Sequence, residues 1–324
     1  MNGSLCLPQA LRGEQTALSK EALKEIGRLR GAAPWQWSMQ AALAWLVIAG
    51  SIAFAVWADN LLVTLVAIVV IATRQNVFGL LIHEQTHRCG FKGKYGDWIA
   101  NLVAGYPLLV LSVEGYGKVH LAHHRDYFTE KDPDFVRKQG PAWKFPKRPS
   151  EVARIFLTDL VGLTLYRNIK SKNIEIGDGA FIRPNPTPRW LKIGYFSLWA
   201  IVITVLGGWE IFFVYWLLPL VTVLQVIVRW AAMFEHIYET PNAGVAESTP
   251  IIVPSLLNKI LLPNLNFSLH PYHHYFAGVP FCNLMKVHEI FVREGLVDEA
   301  HVFHGYLSYF KFLTSAPVDA AAPA

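Results

Sequence analysis

The sequence predicts an all-α integral membrane protein with four transmembrane helices in two hairpins and a histidine-rich helical cap on the cytoplasmic side. Three observations lead to this prediction. The composition is apolar, four long apolar stretches are joined in pairs by very short links, and most histidines lie just beyond the ends of those stretches. Together they place a polar, histidine-bearing layer against one face of a bilayer.

The composition of the 324-residue chain is typical of a membrane protein. Hydrophobic residues make up 53% of the chain and charged residues only 16%, whereas soluble domains carry about 25% charged residues. The formal net charge of +5 is modest, and we expect no nucleic-acid partner. The three cysteines are scattered and form no CxxC pair, so we expect reduced thiols; they are Cys6, Cys89 and Cys282.

Four apolar stretches are candidates for crossing a bilayer, which requires about 20 mostly apolar residues. They are residues 39–58, 61–82, 190–207 and 211–228. Links of two and three residues join them into two helical hairpins. Two weaker stretches, residues 98–113 and 153–166, are shorter and contain Gly and Pro or Asp. We expect each of these to be re-entrant or interfacial.

The placement of Lys and Arg predicts the orientation in the membrane. Neither hairpin link contains a basic residue, whereas basic residues are frequent before, between and after the hairpins. Because cytoplasmic segments carry the excess of Lys and Arg, we expect both termini and the long middle segment in the cytoplasm. Residues 1–37 are then a cytoplasmic N-terminal segment without a signal peptide, residues 38–315 a single membrane domain, and residues 316–324 a disordered tail.

Nine of the twelve histidines fall into four groups on the predicted cytoplasmic side. These are His83 and His87 in HEQTH; His120, His123 and His124 in HLAHH; His236 after the last span; and His270, His273 and His274 in HPYHH. Helical residues three and four apart share a face, so each stretch is expected to direct its imidazoles at a common point. Neutral imidazole is the commonest protein metal ligand. Nine suit two metal ions, provided that residues 98–113 do not cross the bilayer.

HEQTH also matches the H-E-x-x-H pattern of zinc proteases, in which the glutamate is the general base. Catalytic zinc has three protein ligands and an open position, so nine histidines are too many for one zinc ion. Glu84 is expected to be a hydrogen-bonding partner of an imidazole or a polar residue near the interface. A membrane zinc protease and a non-catalytic metal-binding or transport protein remain alternatives, since imidazole alone does not identify the metal.

The order of HEQTH, HLAHHRDYFTEKDPDF and HPYHH on two hairpins resembles the membrane fatty acid desaturase and hydroxylase superfamily over roughly residues 39–292. The resemblance implies two iron ions bound by the nine histidines, including His236, with Asp132 and Asp134 as loop or supporting residues and no separate catalytic side chain. It implies O2-dependent desaturation of an aliphatic C–C bond in a fatty acyl chain. A hydroxylase or ketolase acting on an alkane, a carotenoid or a small specialised metabolite is the alternative, because HEQTH and Glu235-His236 resemble alkane hydroxylases.

The resemblance also implies an external electron donor, because the sequence contains no flavin, haem or iron–sulfur motif. A ferredoxin or a protein of the cytochrome b5 type is expected, docking on the basic residues between 138 and 172, unless those charges only set the topology and contact anionic lipid. A lipid or other apolar substrate is expected to enter from the bilayer. Arg74, a charge within a span, either supports the site or marks where the helix leaves the hydrocarbon.

Overall fold

Helices dominate the computed structural model, which describes residues 5–170, 183 and 185–315. The all-α class is therefore confirmed, and all three cysteines are free. The predicted disordered tail, residues 316–324, lies outside the described residues.

The α-helices are α1 Lys20–Leu29, α2 Pro34–Ala58, α3 Leu61–Thr86, α4 Gly96–Ala100, α5 Val113–Arg125, α6 Pro133–Arg137, α7 Pro149–Leu160, α8 Leu163–Lys170, α9 Arg189–Val205, α10 Trp209–Phe212, α11 Leu218–Val221, α12 Val223–Glu235, α13 Val245–Ser248, α14 Leu256–Leu261, α15 His270–Tyr275, α16 Leu284–Arg293 and α17 Tyr306–Thr314.

Short elements complete the described structure. The strands β1 (Ile252–Val253) and β2 (Phe303–His304) pair in parallel. Two segments are π-helical, Asn101–Gly105 and Phe213–Leu217. Single 3-10 turns lie at Gln15–Ala17, Tyr106–Leu108, Pro141–Trp143, Phe281–Asn283 and Glu299–His301.

Within the described residues, three helical segments are long and apolar enough to cross a membrane: α2, α3 and the run Trp209–Glu235. The protein is therefore an integral membrane protein. Helix α9 has 17 residues, which is about 26 Å at 1.5 Å per residue and short of a hydrocarbon layer of about 30 Å. None of its residues is buried, so its apolar surface is free to face lipid. It remains the predicted fourth span.

The first hairpin turns within two residues because each is suited to a helix end. Asp59 ends α2 in the left-handed conformation, which Asp tolerates better than most residues. The Asn60 side chain accepts hydrogen bonds from Leu62 N and Val63 N at 3.0 and 3.2 Å, capping the start of α3. Helix α3 then continues past residue 82, where the sequence placed the end of the span, to Thr86. It therefore carries HEQTH in its final turns.

A sharp bend turns the next segment back along α3. The helical run that ends at Leu108 meets α5 at 92°. Two tryptophan N–H groups bond to carbonyls near the bend: Trp45 Nε1 donates to Val103 O at 3.1 Å and Trp216 Nε1 to Pro107 O at 2.8 Å. Irregular backbone at membrane depth requires such internal partners. The bend lays α5 beside α3, as the re-entrant interpretation of residues 98–113 requires.

Arg74 connects α3 to the segment before the third histidine stretch. Its Nη2 donates to Ile260 O at 2.8 Å, near the end of α14. It makes no contact with the histidines among the described residues, so the structure gives it no supporting role at the site.

A buried ion pair attaches α7 to the end of the last span. The Arg229 guanidinium donates two hydrogen bonds to the Asp159 carboxylate, the Nη2–Oδ1 bond at 3.0 Å, and also lies 4.6 Å from the Trp143 ring centroid. Only 1% of Asp159 and 8% of Arg229 is exposed. The predicted apolar stretch 153–166 is broken at Gly162, which has a φ of 72°, so α7 packs on α12 instead of crossing the membrane.

We expect Asp159→Ala to lower the free energy of unfolding by about 3–5 kcal/mol, because it leaves a buried guanidinium unpaired. Unfolding in detergent, followed by circular dichroism, measures the effect. The exposed pair Arg125–Asp126 provides the control, and Asp126→Ala should change the same quantity by less than about 1 kcal/mol. Equal losses in the two variants would contradict a stabilising role for the buried pair.

Candidate metal centre

The structure brings all nine predicted histidines into one cluster from four elements. The end of α3 contributes His83 and His87, and the last turns of α5 contribute His120, His123 and His124. His236 directly follows α12, and α15 contributes His270, His273 and His274. Six of them are less than 9% exposed. HLAHH and HPYHH are helical as predicted, whereas α3 ends at Thr86 and His87 is its C-cap residue.

Five of the nine imidazoles form the first histidine group. Its members are His83, His87, His120, His124 and His273. The Nε2 atoms of His83 and His273 lie 2.8 Å apart, as do those of His87 and His120. His124 Nε2 lies 3.1 Å from Nε2 of both His120 and His273. All five rings therefore direct the same nitrogen toward one small volume.

Four imidazoles form the second histidine group. Its members are His123, His236, His270 and His274. The Nε2 of His236 lies 3.2 Å from Nε2 of His123 and 3.2 Å from Nε2 of His274. His274 Nε2 lies 3.1 Å from that of His270. The rings of His124 and His274 stack at 4.4 Å between centroids, so the two groups are adjacent.

The spacing of these nitrogens fits metal ligation. Ligands about 2.1 Å from one ion, at angles between those of an octahedron and a tetrahedron, lie about 3.0–3.4 Å from each other. The Nε2–Nε2 separations of 2.8–3.2 Å are close to that range. Four nitrogens of the first group and three of the second lie close enough together to hold a metal ion: those of His83, His87, His120 and His273, and those of His123, His236 and His274.

The two HxxHH stretches do not behave as the sequence predicted. We expected each to direct its imidazoles at a single point, but each stretch serves both groups. In α5, His120 and His124 belong to the first group and His123 belongs to the second. In α15, His273 belongs to the first group, and His270 and His274 belong to the second. Successive helical residues differ by about 100° in direction, so adjacent histidines cannot reach the same ion.

Asp132 fixes the ring of His123. Its Oδ2 lies 2.8 Å from His123 Nδ1, and the carboxylate is fully buried. It also accepts backbone N–H bonds from Phe128 and Asp134, at 2.9 and 2.8 Å. An ionised carboxylate only accepts hydrogen bonds, so Nδ1 of His123 carries the proton and Nε2 presents its lone pair to the second group. Asp132 thus orients the ring of a candidate metal ligand.

Hydroxyl groups orient His236 in a similar way. Its Nδ1 lies 3.1 Å from Thr249 Oγ1 and 3.2 Å from Tyr127 OH. The Tyr127 hydroxyl in turn lies 2.6 Å from Ser248 Oγ. These contacts hold the ring with Nε2 directed at the other members of the second group.

Burial keeps the imidazoles in the form that binds metal. Loss of solvent lowers the pKa of His273 and His274 well below the usual value, and the neighbouring histidines lower it further. Both rings are therefore neutral at pH 7, as a metal ligand must be.

Glu84 does not play the part that a zinc protease requires. Its Oε1 accepts a hydrogen bond from Phe281 N at 3.2 Å, and its Oε2 has no hydrogen-bond partner within residues 5–170, 183 and 185–315. The carboxylate makes no hydrogen bond to a histidine in that part of the chain. The structure therefore supports neither a general base at HEQTH nor a partner for an imidazole.

The remaining histidines lie outside the two groups. His288 Nδ1 bonds to Tyr272 OH at 2.8 Å within the core. His301 lies 3.6 Å from Asp298 at the surface. Among the described residues, His288, His301 and His304 lie outside both candidate metal-binding clusters.

Comparison with known proteins decides the family. The model of the fatty acid desaturase family matches residues 59–306, which is most of the chain and includes all nine histidines. The chain belongs to the fatty acid desaturase family. A search of curated proteins found no match.

Arg183 supports the helix end at the histidine cluster, and sequence reasoning missed it. It lies beside the end of α3, where its Nη2 donates to Gln85 O and Thr86 O, both at 2.8 Å. Its Nε lies 2.9 Å from Asp97 Oδ2, and Asp97 Oδ1 accepts a 2.7 Å bond from the Gln85 side chain. This network neutralises the carbonyl end of the helix that presents His83 and His87. No local motif marks Arg183 in the sequence.

A cleft of about 350 Å³ lies at the protein surface beside His87 of the first histidine group. Its lining includes His87, Arg88 and Lys92. The side chains of Arg88 and Lys92 are exposed and make no ion pair with the described residues. The cleft is thus a positively charged approach to a candidate metal ligand.

We expect Asp132→Asn to weaken metal binding at the second histidine group by about 10–100-fold, the usual cost of losing a carboxylate that orients a ligating imidazole. Metal per chain after dialysis against a graded chelator series measures this. Asp134→Asn is the matched control, because Asp134 pairs with Arg137 and Lys138 and touches no histidine. Equal weakening in both variants would contradict the assigned role of Asp132.

Proposed function

We propose that the protein is an O2-dependent di-iron oxidase that desaturates an aliphatic C–C bond of a fatty acyl chain. One observation carries the proposal: nine imidazoles are arranged as groups of five and four in a member of the fatty acid desaturase family. The first histidine group would hold one iron and the second group the other. When bound, the pair of irons would activate O2, the oxidant that removes hydrogen from an unactivated C–H bond.

The chain's own residues contribute positioning and exclusion of water. Neutral, buried imidazoles hold the donor nitrogens in place before metal binds. The Phe267 ring stacks on His83 at 4.3 Å between centroids, and the Tyr116 ring lies 5.2 Å from that of His120. These aromatic walls provide an apolar surface against which an alkyl chain can be aligned with the site. No separate acid or base is assigned.

The membrane supplies the substrate in this proposal. The spans α2, α3 and Trp209–Glu235, together with α9, would form the four-helix membrane domain, with both termini and the histidine cluster on the cytoplasmic side. HEQTH and His236 lie at the ends of spans, so the cluster would lie just above the hydrocarbon. An apolar chain could then reach it from the bilayer.

Electrons would come from a ferredoxin or a protein of the cytochrome b5 type that docks at the cleft beside His87. The basic stretch after residue 138, which the sequence favoured, is partly engaged internally. Lys138 Nζ bonds to Asp134 and to Tyr238 OH at 2.8 and 2.6 Å, and Lys144 Nζ bonds to Tyr238 O at 2.8 Å. The cleft instead combines exposed cations with a direct approach to a candidate ligand. It therefore fits an acidic donor better.

We expect the double variant Arg88→Glu with Lys92→Glu to lower donor-dependent turnover at low salt by about tenfold or more, because like charges then oppose docking. The wild type should lose rate as ionic strength rises, whereas the variant should not. Lys20→Glu with Lys24→Glu makes the same charge change on the exposed face of α1 and should leave the rate unaltered. Salt-independent turnover in the wild type would argue against electrostatic docking at the cleft.

Metal content tests the assignment of the two groups. We expect about two irons per chain in gently purified wild type and none in His273→Ala with His274→Ala, since that variant removes one ligand from each group. His87→Ala should lose iron from the first group alone, and His236→Ala from the second alone. Elemental analysis measures the totals. A different result would indicate a zinc protease: one zinc ion per chain that is retained in the His273→Ala, His274→Ala variant but lost when His83 is replaced.

Product analysis tests the reaction. We expect lipids of cells that express the wild type to contain acyl chains two hydrogens lighter than those of cells that express the His273→Ala, His274→Ala variant, by mass spectrometry. A hydroxylase is the second candidate, because HEQTH and Glu235-His236 resemble alkane hydroxylases. Products heavier by one oxygen atom would support that candidate and count against desaturation.

A further inference from the structure

Helix α14, the short element before the third histidine stretch, has an exposed apolar face. Four of its six residues are large aliphatics that are 57–75% exposed: Leu256, Leu257, Ile260 and Leu261. Because successive helical residues differ by about 100° in direction, these four side chains share one face of the helix. Single apolar residues are common on protein surfaces, but a contiguous group usually marks an interaction site.

The polar side of α14 is attached to the rest of the protein. Ser255 and Asn258 cap the start of the helix reciprocally: Asn258 N donates to Ser255 Oγ and Ser255 N donates to Asn258 Oδ1, both at 3.2 Å. Asn258 Oδ1 also accepts a hydrogen bond from Tyr306 N at 3.2 Å, which joins α14 to the start of α17. Leu307, the next residue of α17, is itself 65% exposed.

Two side chains of the span α3 hold the carbonyl end of α14. Arg74 Nη2 donates to Ile260 O at 2.8 Å, and Asn76 Nδ2 lies 3.5 Å from Pro263 O. Basic side chains commonly bond to the last carbonyls of a helix, which have no partner within the helix. Helix α14 therefore lies against α3 at the level of Arg74.

The exposed apolar surface of α3 ends where α14 is attached. Between Leu61 and Val69, five large apolar side chains of α3 are at least 50% exposed, as expected of a span that faces lipid. From Ile71 to Thr86, every residue except Arg74 and Gly79 is buried. The exposed apolar surface thus passes from α3 to α14 at this level, so the face of α14 continues the lipid-facing surface of a span.

We propose that α14 is an interfacial helix that lies in one leaflet of the bilayer and contacts phospholipid acyl chains with its apolar face. Lys259 is exposed and makes no ion pair with the described residues, and its long side chain can extend to the lipid headgroups. An apolar face combined with a flanking cation is typical of interfacial helices. The proposal does not depend on the reaction at the metal centre. It gives the segment that leads into His270 a direct contact with lipid.

A photoreactive side chain on α14 tests the contact in the full chain. In this experiment p-benzoylphenylalanine replaces Leu257, the protein is reconstituted in liposomes of phosphatidylcholine and phosphatidylglycerol, and covalent adducts are measured by mass spectrometry after irradiation. We expect a phospholipid adduct in a yield similar to that from the same probe at Leu65 of α3. The probe at Lys24, exposed on α1, is the water-facing control and should give about tenfold less, because only groups buried in the interface meet acyl chains.

A second variant tests the attachment of α14 to the span. Arg74→Leu removes the hydrogen bond to Ile260 O and should lower the phospholipid adduct at Leu257 by about threefold or more, because the end of the helix loses its polar partner. Arg12→Leu, which removes an exposed pair with Asp298, is the matched control and should leave the yield unchanged. Equal yields in wild type and Arg74→Leu would overturn the role assigned to Arg74.

Two outcomes at Leu257 would overturn the lipid contact itself. One is an adduct with a second copy of the chain in place of lipid, which would make the face of α14 a protein interface. The other is a lipid yield as low as that at Lys24 while the probe at Leu65 still reacts. The same probe at Leu261 replaces the one at Leu257 if that variant folds poorly, and the same outcomes apply.

Discussion

The structure depends on one constraint. Nine imidazole rings from four separate elements each direct one nitrogen into one of two adjacent groups. A helix alone cannot do this, because its side chains point outward in all directions. The chain meets the constraint by extending α3 beyond its apolar part, by bending the segment before α5 through 92°, and by ending the last span at His236. Helix α15 completes the cluster after a strained turn.

Polar partners outside the cluster keep the rings in that arrangement. Asp132 and the hydroxyls of Tyr127 and Thr249 each hold the outer nitrogen of a histidine in the second group. The first group depends more on the position of a helix end, which Arg183 and Asp97 secure through backbone carbonyls. The cluster is thus maintained by bonds to backbone, carboxylate and hydroxyl groups, and its own nitrogens remain available.

Local patterns in the sequence were enough to predict much of this. The apolar stretches gave both hairpin turns and the long helices, and the spacing of three and four residues gave the helical histidine stretches. Features that depend on how distant elements pack could not be predicted. The division of HLAHH between two groups requires the relative rotation of α5 and α15. Arg183 reaches α3 from far along the chain, where no local pattern marks it.

Sharing of helices between the two groups has a mechanical consequence. Helices α5 and α15 carry three of the five histidines of the first group and three of the four histidines of the second. A displacement of either helix would therefore move donor nitrogens of both groups at once.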